Sequence, residues 1–571
     1  MYILGISCFF HDSSAALLKD GRVVAAIQEE RLTRKKHDNS FPSGAIDYCL
    51  SSQGILIDEI DFIVFYEKPL LKFERLLCQF IETFPRGWRR FLAVIPVWLG
   101  ERLRIMKAVR KKLGYKKSVL FVEHHQAHAA GSFFCSPFEK AAILTVDGAG
   151  EWATTAYGFG DKDRIKLAGQ INFPHSLGLF YSAITAYLGF PVNDSEYKVM
   201  GLGAYGEKDK LKNIYYEKLR GAIDIKEDGS FRIDMSYFEY HYAGRMPSSK
   251  LCSLLGGPVR EKDSSIEKRH QDIAAALQMI TEEAVFKILN HLYDIYKCKN
   301  IILAGGVALN SVLNGKIPEK TKFKNVWIQP NAADGGTSLG AALFAYHQIF
   351  ANGNRRLLPD AYLGPEYSDQ EIKEFLDRNR AAYHEFADKK ELVEKTARLI
   401  FEDKIIGWFQ GREEWGPRAL GARSILANPL NPKMKDILNL GVKHRENFRP
   451  FAPAVCREDA GEYFKLDKAL FIPAEYMLAV CPIKKYWQTK IPAVCHIDGT
   501  ARPQIVKRSD NPPYYDLIKK FGKISGVPIL VNTSFNINRE PIVSSLKDAY
   551  LCFLNTGIDY LVMGNFLIKK Q

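Results

Sequence analysis

One pattern occurs twice in this chain and limits its fold more than any other. Apolar runs at 2–9, 13–18 and 23–29 read as three short strands, with Lys19-Asp20-Gly21 as a tight hairpin turn between the second and third. The same plan returns at 141–147, 151–159 and 165–173, with turns at Gly148-Ala149-Gly150 and Gly160-Asp161. In each copy the first strand ends in a polar turn carrying an aspartate, Asp12 or Asp147, and helical sequence follows the third strand. A meander has an apolar face that must be covered, so each copy predicts an α/β lobe with helices packed on a sheet. At 571 residues the chain is also too long for one core.

Two related α/β lobes facing each other across a nucleotide cleft are the plan of the actin-like (ASKHA) ATPases, and the duplication resembles it. Two glycine turns support a cleft. A strand at 300–303 runs into Ala304-Gly305-Gly306-Val307-Ala308-Leu309-Asn310, read as opening a helix. A second, at 325–329, reaches Asn331 to Ser338 and a helix at 339–349. Strand, glycine turn and helix N-terminus together bind anions, because backbone N–H groups can approach and the helix dipole favours negative charge. The Gly/Pro-rich stretch 351–368 reads as a linker, separating domains at 1–355 and 369–571. Beyond it, a helix at 390–402 and strands at 405–409 and 528–531 begin a second α/β domain.

His124 and His128 stand four apart in Glu-His-His-Gln-Ala-His, so a helix puts both on one face. The zinc-protease helix shares this spacing, but His125 occupies the place of its glutamate base. With Asp147 and Asp334 at turns, two imidazoles and two carboxylates suit Fe(II), Mn(II) or Zn(II); spacing does not choose among them. His11, at the end of the first strand, is a candidate general base. Farther on, arginines sit among Gly and Pro in 411–424, in 443–453 and around Arg502, with a polar turn at 532–536. Such a set suits phosphate and a planar carbamoyl group.

These residues fall in a run of motifs that resembles the NodU/CmcH family of O-carbamoyltransferases: HDSSAALL at 11–18, EHHQAHAA at 123–130, VDGAGEW at 146–152 and YKVMGLGAYG at 197–206. GGVALNS at 305–311, DGGTSLGAA at 334–342, WGPRALGARSILANP at 415–429, FRPFAP at 448–453 and VNTSFN at 531–536 continue it. The resemblance implies an actin-like domain similar to tRNA threonylcarbamoyl transferases, then a YrdC-like α/β domain. It implies that the second domain makes carbamoyl-adenylate from carbamoyl phosphate and ATP, with Mg on the ATP, and that the first transfers the carbamoyl group to a hydroxyl of a sugar, glycan or natural product at an iron-type site. His124, His128, Asp147 and Asp334 then match the metal ligands, and His11 the base. Gly305, Gly306 and Asn310 match the nucleotide turn, with Gly148 and Lys198 beside them. Arg418, Lys443, Arg449, Arg502 and Ser534 match the carbamoyl-phosphate and adenylate site, with Arg423 and Asn532. The rival functions are a threonylcarbamoyl-type tRNA enzyme and a non-catalytic actin-like ATP-binding regulator.

Charge bears on that choice. The net charge is +14, which invites a nucleic-acid partner, but 86–117 alone holds eleven Lys or Arg against one acid, Glu101. The basic character is therefore local, and a nucleic-acid partner is not expected. From Leu99 onward the apolar spacing suits an amphipathic helix. It reads either as a helical insertion packed on the lobe, the favoured reading, or as a peripheral contact with anionic lipid or a lipid-linked glycan. No window reaches the roughly 18 apolar residues of a membrane span. Ten cysteines without CxxC spacing and no export signal at the start point to a reduced, cytoplasmic protein. A homodimer is compatible with all of this.

Overall fold

Both meanders form as read, and they build sheets of the same topology. In this computed structural model, which describes residues 1–570, the first comprises β1 (Tyr2–Ser7), β2 (Ser14–Lys19) and β3 (Arg22–Gln28), extended by β4 (Phe62–Phe65) and β5 (Val119–Phe121). The second comprises β6 (Lys140–Val146), β7 (Ala153–Asp161) and β8 (Arg164–Asn172). After a small hairpin, β9 (Ile223–Ile225) and β10 (Phe231–Ile233), it is extended by β11 (Asn300–Ala304) and β12 (Asn325–Ile328). The orders are β3-β2-β1-β4-β5 and β8-β7-β6-β11-β12. In each, the first strand pairs antiparallel with the second and parallel with the fourth. This is the duplicated actin-like plan. The first hairpin turn has left-handed backbone at both Asp20 (φ 48°) and Gly21 (φ 77°), as a two-residue turn matched to strand twist requires. In the second meander the strands run on through Gly160-Asp161, and the turn is made at Lys162 and Asp163.

Glycines set how closely the layers approach. The helix Thr337–Phe344 lies against β1 and against the helix His124–Phe133. A methyl group on Gly340 would stand 1.8 Å from the Ala127 carbonyl oxygen, and one on Gly5 1.8 Å from that of Ser338. Backbone thus packs on backbone, and the start of the histidine helix is brought to the loop that carries Asp334.

The chain forms two compact units. The first holds Met1–Val24 and Asn39–Leu358, the second Ala25–Asp38 and Pro359–Gln571. Nothing in the sequence foreshadowed the excursion of 25–38 into the second unit. The stretch read as linker begins tied down: the Arg355 guanidinium donates to the carbonyls of Phe134, Ser136 and Phe138, and Leu358 is buried.

The second unit has an eight-stranded mixed sheet built from β13 (Tyr383–Glu385), β14 (Ile406–Phe409), β15 (Arg423–Ala427), β16 (Ala452–Cys456), β19 (Gln504–Val506), β20 (Ile529–Ser534), β21 (Tyr560–Met563) and β22 (Phe566–Lys569). The short strands β17 (Cys481–Pro482) and β18 (Thr500–Ala501) pair separately. Successive residues alternate between two apolar clusters: Ile425, Val455, Val531 and Leu561 in one, Leu426, Ala454, Leu530 and Val562 in the other. A strand puts successive side chains on opposite faces, so both faces of this sheet are covered. β20 continues to Ser534, so Asn532 and Ser534 lie on a strand end where a turn from 532 was expected.

The single amphipathic helix expected from Leu99 does not form. The helix Pro69–Thr83 is followed by two shorter ones, Trp88–Gly100 and Ile105–Leu113, separated by a 3₁₀ turn at Arg102–Arg104. Gly100 ends the first of that pair.

Candidate functional site: a metal centre and a cation pocket

Parallel strands β1, β6, β11 and β12 end at the edges where ligands of open α/β sheets bind. The turns beyond them deliver His11, Asp147, Gly305-Gly306 and Asp334. His124 and His128 project from the first turns of their helix, as the four-residue spacing predicts. His124 Nε2 lies 3.1 Å from His128 Nε2 and 3.0 Å from Asp147 Oδ2. His128 Nε2 is 3.7 Å from Asp147 Oδ2. Asp334 Oδ1 is 3.7 Å from His124 and 3.6 Å from His128. All four side chains are buried. Donor atoms about 2.1 Å from a common ion stand roughly 3.0–3.7 Å apart, so the spacing fits one.

The electrostatics fit a cation too. Neither Asp334 oxygen accepts a hydrogen bond, although the side chain is 2% exposed. A buried carboxylate so placed costs several kcal/mol unless a cation faces it. Protonated imidazoles of the cluster would also offset it. Burial alone would lower the His128 pKa, but Asp147 and Asp334 outweigh it and raise it to about 9. His11 rises to about 9 likewise, burial being outweighed by Asp334 and Asp12. Burial would raise the Asp147 carboxyl, yet His124 and His128 hold it well below the usual range. His11 Nδ1 contacts Asp12 Oδ2 at 2.9 Å, and its Nε2 stands 3.7 Å from Asp334 Oδ2, at the edge of the cluster. His125 is no ligand. Its Nε2 meets the Ala153 carbonyl and its Nδ1 the Thr145 hydroxyl, and burial drops its pKa to about 3.

The turn expected to meet nucleotide also makes contacts within the unit. The Gly306 N–H donates to Asp147 Oδ1 at 2.8 Å, so it orients a carboxylate of the candidate metal cluster. Gly305 has φ +89°, and a side chain there would strike the Val146 carbonyl, 2.2 Å away. The turn then makes one 3₁₀ turn, Gly306–Leu309, before the helix Ser311–Lys320. Asn310 caps that helix through the Leu313 N–H, and its amide exchanges hydrogen bonds with Gln278. Its side chain thus caps the helix and pairs with Gln278. The Gly148 carbonyl accepts from Ser176 Oγ at 2.6 Å. Lys198 sits on the helix Glu196–Leu202 with its ammonium over the Phe190 ring.

In the second unit, register gathers the cationic residues. β15 pairs Ser424 with Ser534, β16 pairs Ala452 with Asn532, and β16 runs parallel to β19 with Ala454 opposite Gln504. Arg449 precedes β16, Arg502 precedes β19 and Ser534 ends β20, so all three reach the same end of the sheet. Asn532 donates to the carbonyl of Ala419, next to Arg418, and to Gln504. Lys443 completes the set: buried, it donates to the Ser534 carbonyl and to Asn536 Oδ1 (2.7 Å). Burial, then Arg445 and Arg449, push its pKa well below the usual lysine range. An arriving anion would relieve that cost.

Arg423 is not part of this surface. Fully buried, it stacks 3.7 Å over the Phe409 ring and donates to the carbonyls of Pro365, Gln410, Gly411 and Ala422. It fixes the loop that presents Arg418, where a ligand contact was expected. Glu414 helps: one oxygen accepts from the N–H groups of Leu420, Ala422 and Arg423. Glu413 pairs with Arg31 at 2.9 Å, both buried.

Matches to known proteins agree in both units. The family model described as the N-terminus of carbamoyltransferases matches residues 2–343, and that of the C-terminus matches 397–570. The chain belongs to the carbamoyltransferase family. This carbamoyltransferase is 45% identical to the Synechocystis protein sll1178, over all of its own length and 97% of that chain. It is 38% identical to nodulation protein NolNO of Sinorhizobium fredii, over 99% and 79%. With nodulation protein U of Rhizobium fredii it shares 27% identity over 92% and 88%.

Sequence reasoning missed three supports of these sites. Glu151 accepts the His124 N–H with both oxygens, at 3.1 Å each, and so caps the histidine helix. Its place in VDGAGEW was the only signal. Asn536 was seen only as part of a polar turn. Arg31 gave no signal, because its partner Glu413 is 382 residues away.

Proposed function

We propose that this carbamoyltransferase works in two ATP-dependent steps, one in each unit. In the second unit carbamoyl phosphate gives up phosphate to water. The resulting carbamate oxygen attacks the α-phosphorus of ATP, forming carbamoyl-adenylate and expelling pyrophosphate. Arg418, Arg449, Arg502 and Lys443 would neutralise the charge that builds on the phosphoryl oxygens, worth several kcal/mol in a water-poor site. Ser534 and Asn536 position the Lys443 ammonium.

In the first unit an acceptor hydroxyl attacks the carbamoyl carbon, the bond to adenylate breaks, and AMP leaves. His124, His128, Asp147 and Asp334 would hold a divalent ion, Fe(II) by family resemblance, which polarises the carbonyl. His11 orients the hydroxyl and takes its proton in the neutral form, which a cation bound beside Asp334 would favour by offsetting the charge that raises its pKa. Glu151 and Gly306 keep His124 and Asp147 in place. The acceptor class that fits the family reading is a hydroxyl of a sugar, glycan or natural product.

The observation that carries the reading is chemical: a buried cluster suited to a cation in one unit, and a cluster of cations suited to phosphates in the other. The test is pyrophosphate release from ATP on addition of carbamoyl phosphate, with product masses over a panel of hydroxylated acceptors. Release dependent on carbamoyl phosphate, with acceptors gaining one carbamoyl group, is expected. Carbamoyl transfer without ATP would overturn the two-step scheme.

A further inference from the structure

We propose that the helix Trp88–Gly100, with the cations around it, docks this protein on the surface of an anionic lipid bilayer. The inference is independent of the two-step reading.

The helix is apolar on two faces. One packs inward: Phe91 stacks on Phe80 with ring centroids 3.9 Å apart, and Trp98 is buried against Phe73. The other faces out. Trp88, Leu92 and Leu99 are 47%, 59% and 48% exposed, and their spacing puts them in one stripe with Pro96. Phe84 and Ile81, at the end of the preceding helix, are exposed beside them. Single exposed apolar side chains are ordinary, but a contiguous set on a helix whose other apolar face is already packed inward points to a covering surface. At 13 residues the helix is about 20 Å long. Among the described residues no helix is long and apolar enough to cross a membrane, so this one would lie in the interface.

Charge selects the occupant. Arg86, Arg89, Arg104, Lys107, Arg110, Lys111 and Lys116 are exposed, none pairs with a carboxylate among the described residues, and Glu101 is the only acid of 86–117. A second copy of this face would bring like charge onto like charge. A nucleic acid would match the charge and leave the stripe in water. Anionic headgroups over acyl chains match both. Arg90 and Lys117 are spent on backbone carbonyls and anchor the segment to the lobe.

The experiment is flotation of the full chain with vesicles of phosphatidylcholine alone or with phosphatidylglycerol added, at low and high salt. Binding to the anionic vesicles alone is expected, weakening as salt rises. Reversal of three cations, Arg104→Glu with Lys107→Glu and Lys111→Glu, should cost about a hundredfold or more in affinity. Trp88→Ser with Leu92→Ser keeps every charge and should still cost about tenfold or more, with an unchanged thermal midpoint. Pyrophosphate release in solution should be unaffected in both, so the two readings fail separately. Equal or negligible binding to both vesicle types overturns the proposal. So do unchanged affinities in both variants, a dimer that Trp88→Ser with Leu92→Ser dissolves without any lipid binding, or RNA binding that outcompetes the vesicles and survives loss of the stripe.

Discussion

The metal centre and the cation pocket solve opposite electrostatic problems. In the first unit two carboxylates are buried with two imidazoles, and the surplus is negative until protons or a metal arrive. In the second, Lys443 is buried near Arg445 and Arg449, with Glu446 3.5 Å from Arg449, and burial and the two arginines disfavour its charge. Each is held by groups of the other sign or by backbone. Gly306 and Glu151 steady the first, while the Arg31–Glu413 pair, Arg423 and Glu414 steady the second. Burying like charges together is costly to the fold, so a partner of the opposite sign would offset that cost in each unit. On the proposed reading the two units bind different things, and substitutions should separate them.

The largest separation is expected for the metal. His124→Ala or Asp334→Ala should remove most of the bound metal and reduce carbamoyl transfer by at least about a thousandfold, while pyrophosphate release persists. Elemental analysis showing full occupancy in both variants would remove these residues from the ligand set. On the other side, Arg31→Ala leaves Glu413 buried without its cation. It should destabilise the second unit by about 3–5 kcal/mol and impair pyrophosphate release, with metal content unchanged. Denaturant unfolding and metal analysis of the same preparation check this; a stability loss under about 1 kcal/mol would mean the loop is held otherwise.

A third test uses pH. The His128 imidazole, ordinarily near 6.5, is raised to about 9 in the metal-free chain. Its protonation stabilises that fold fully below about 6.5, and the contribution is lost as pH rises through about 9. Metal needs the bare ring, so affinity should climb about tenfold per pH unit between 6.5 and 9 and then level off. Calorimetric titration at several pH values measures it; a flat profile would contradict the proton-for-metal exchange. The smallest effect is expected at Asn310. As a helix cap, Asn310→Ala should cost about 1 kcal/mol of stability and little in the KM for ATP. A rise above tenfold in that KM would restore it to the nucleotide turn.

Much of this was legible in the sequence for physical reasons. Strand meanders depend on local alternation and turn chemistry, so both were readable, and the His124/His128 spacing specifies a shared face on any helix. What was not legible depends on distant partners. Arg423 looks like a ligand arginine until its donors are seen facing four carbonyls. Asn310 looks like part of a phosphate turn until Gln278 is found opposite it. Gly306 has no side chain to announce that its N–H would serve Asp147. The break at Gly100 was missed because the apolar spacing of 99–113 continues across it.

The most direct measurement supplies carbamoyl-adenylate to two variants. Lys443→Ala, which should release no pyrophosphate from ATP and carbamoyl phosphate, should carbamoylate a hydroxyl acceptor at close to the wild-type rate. His124→Ala should not, although it releases pyrophosphate normally. Failure of supplied carbamoyl-adenylate to rescue Lys443→Ala, or transfer by His124→Ala at the wild-type rate, would contradict the assignment of the two steps to the two units.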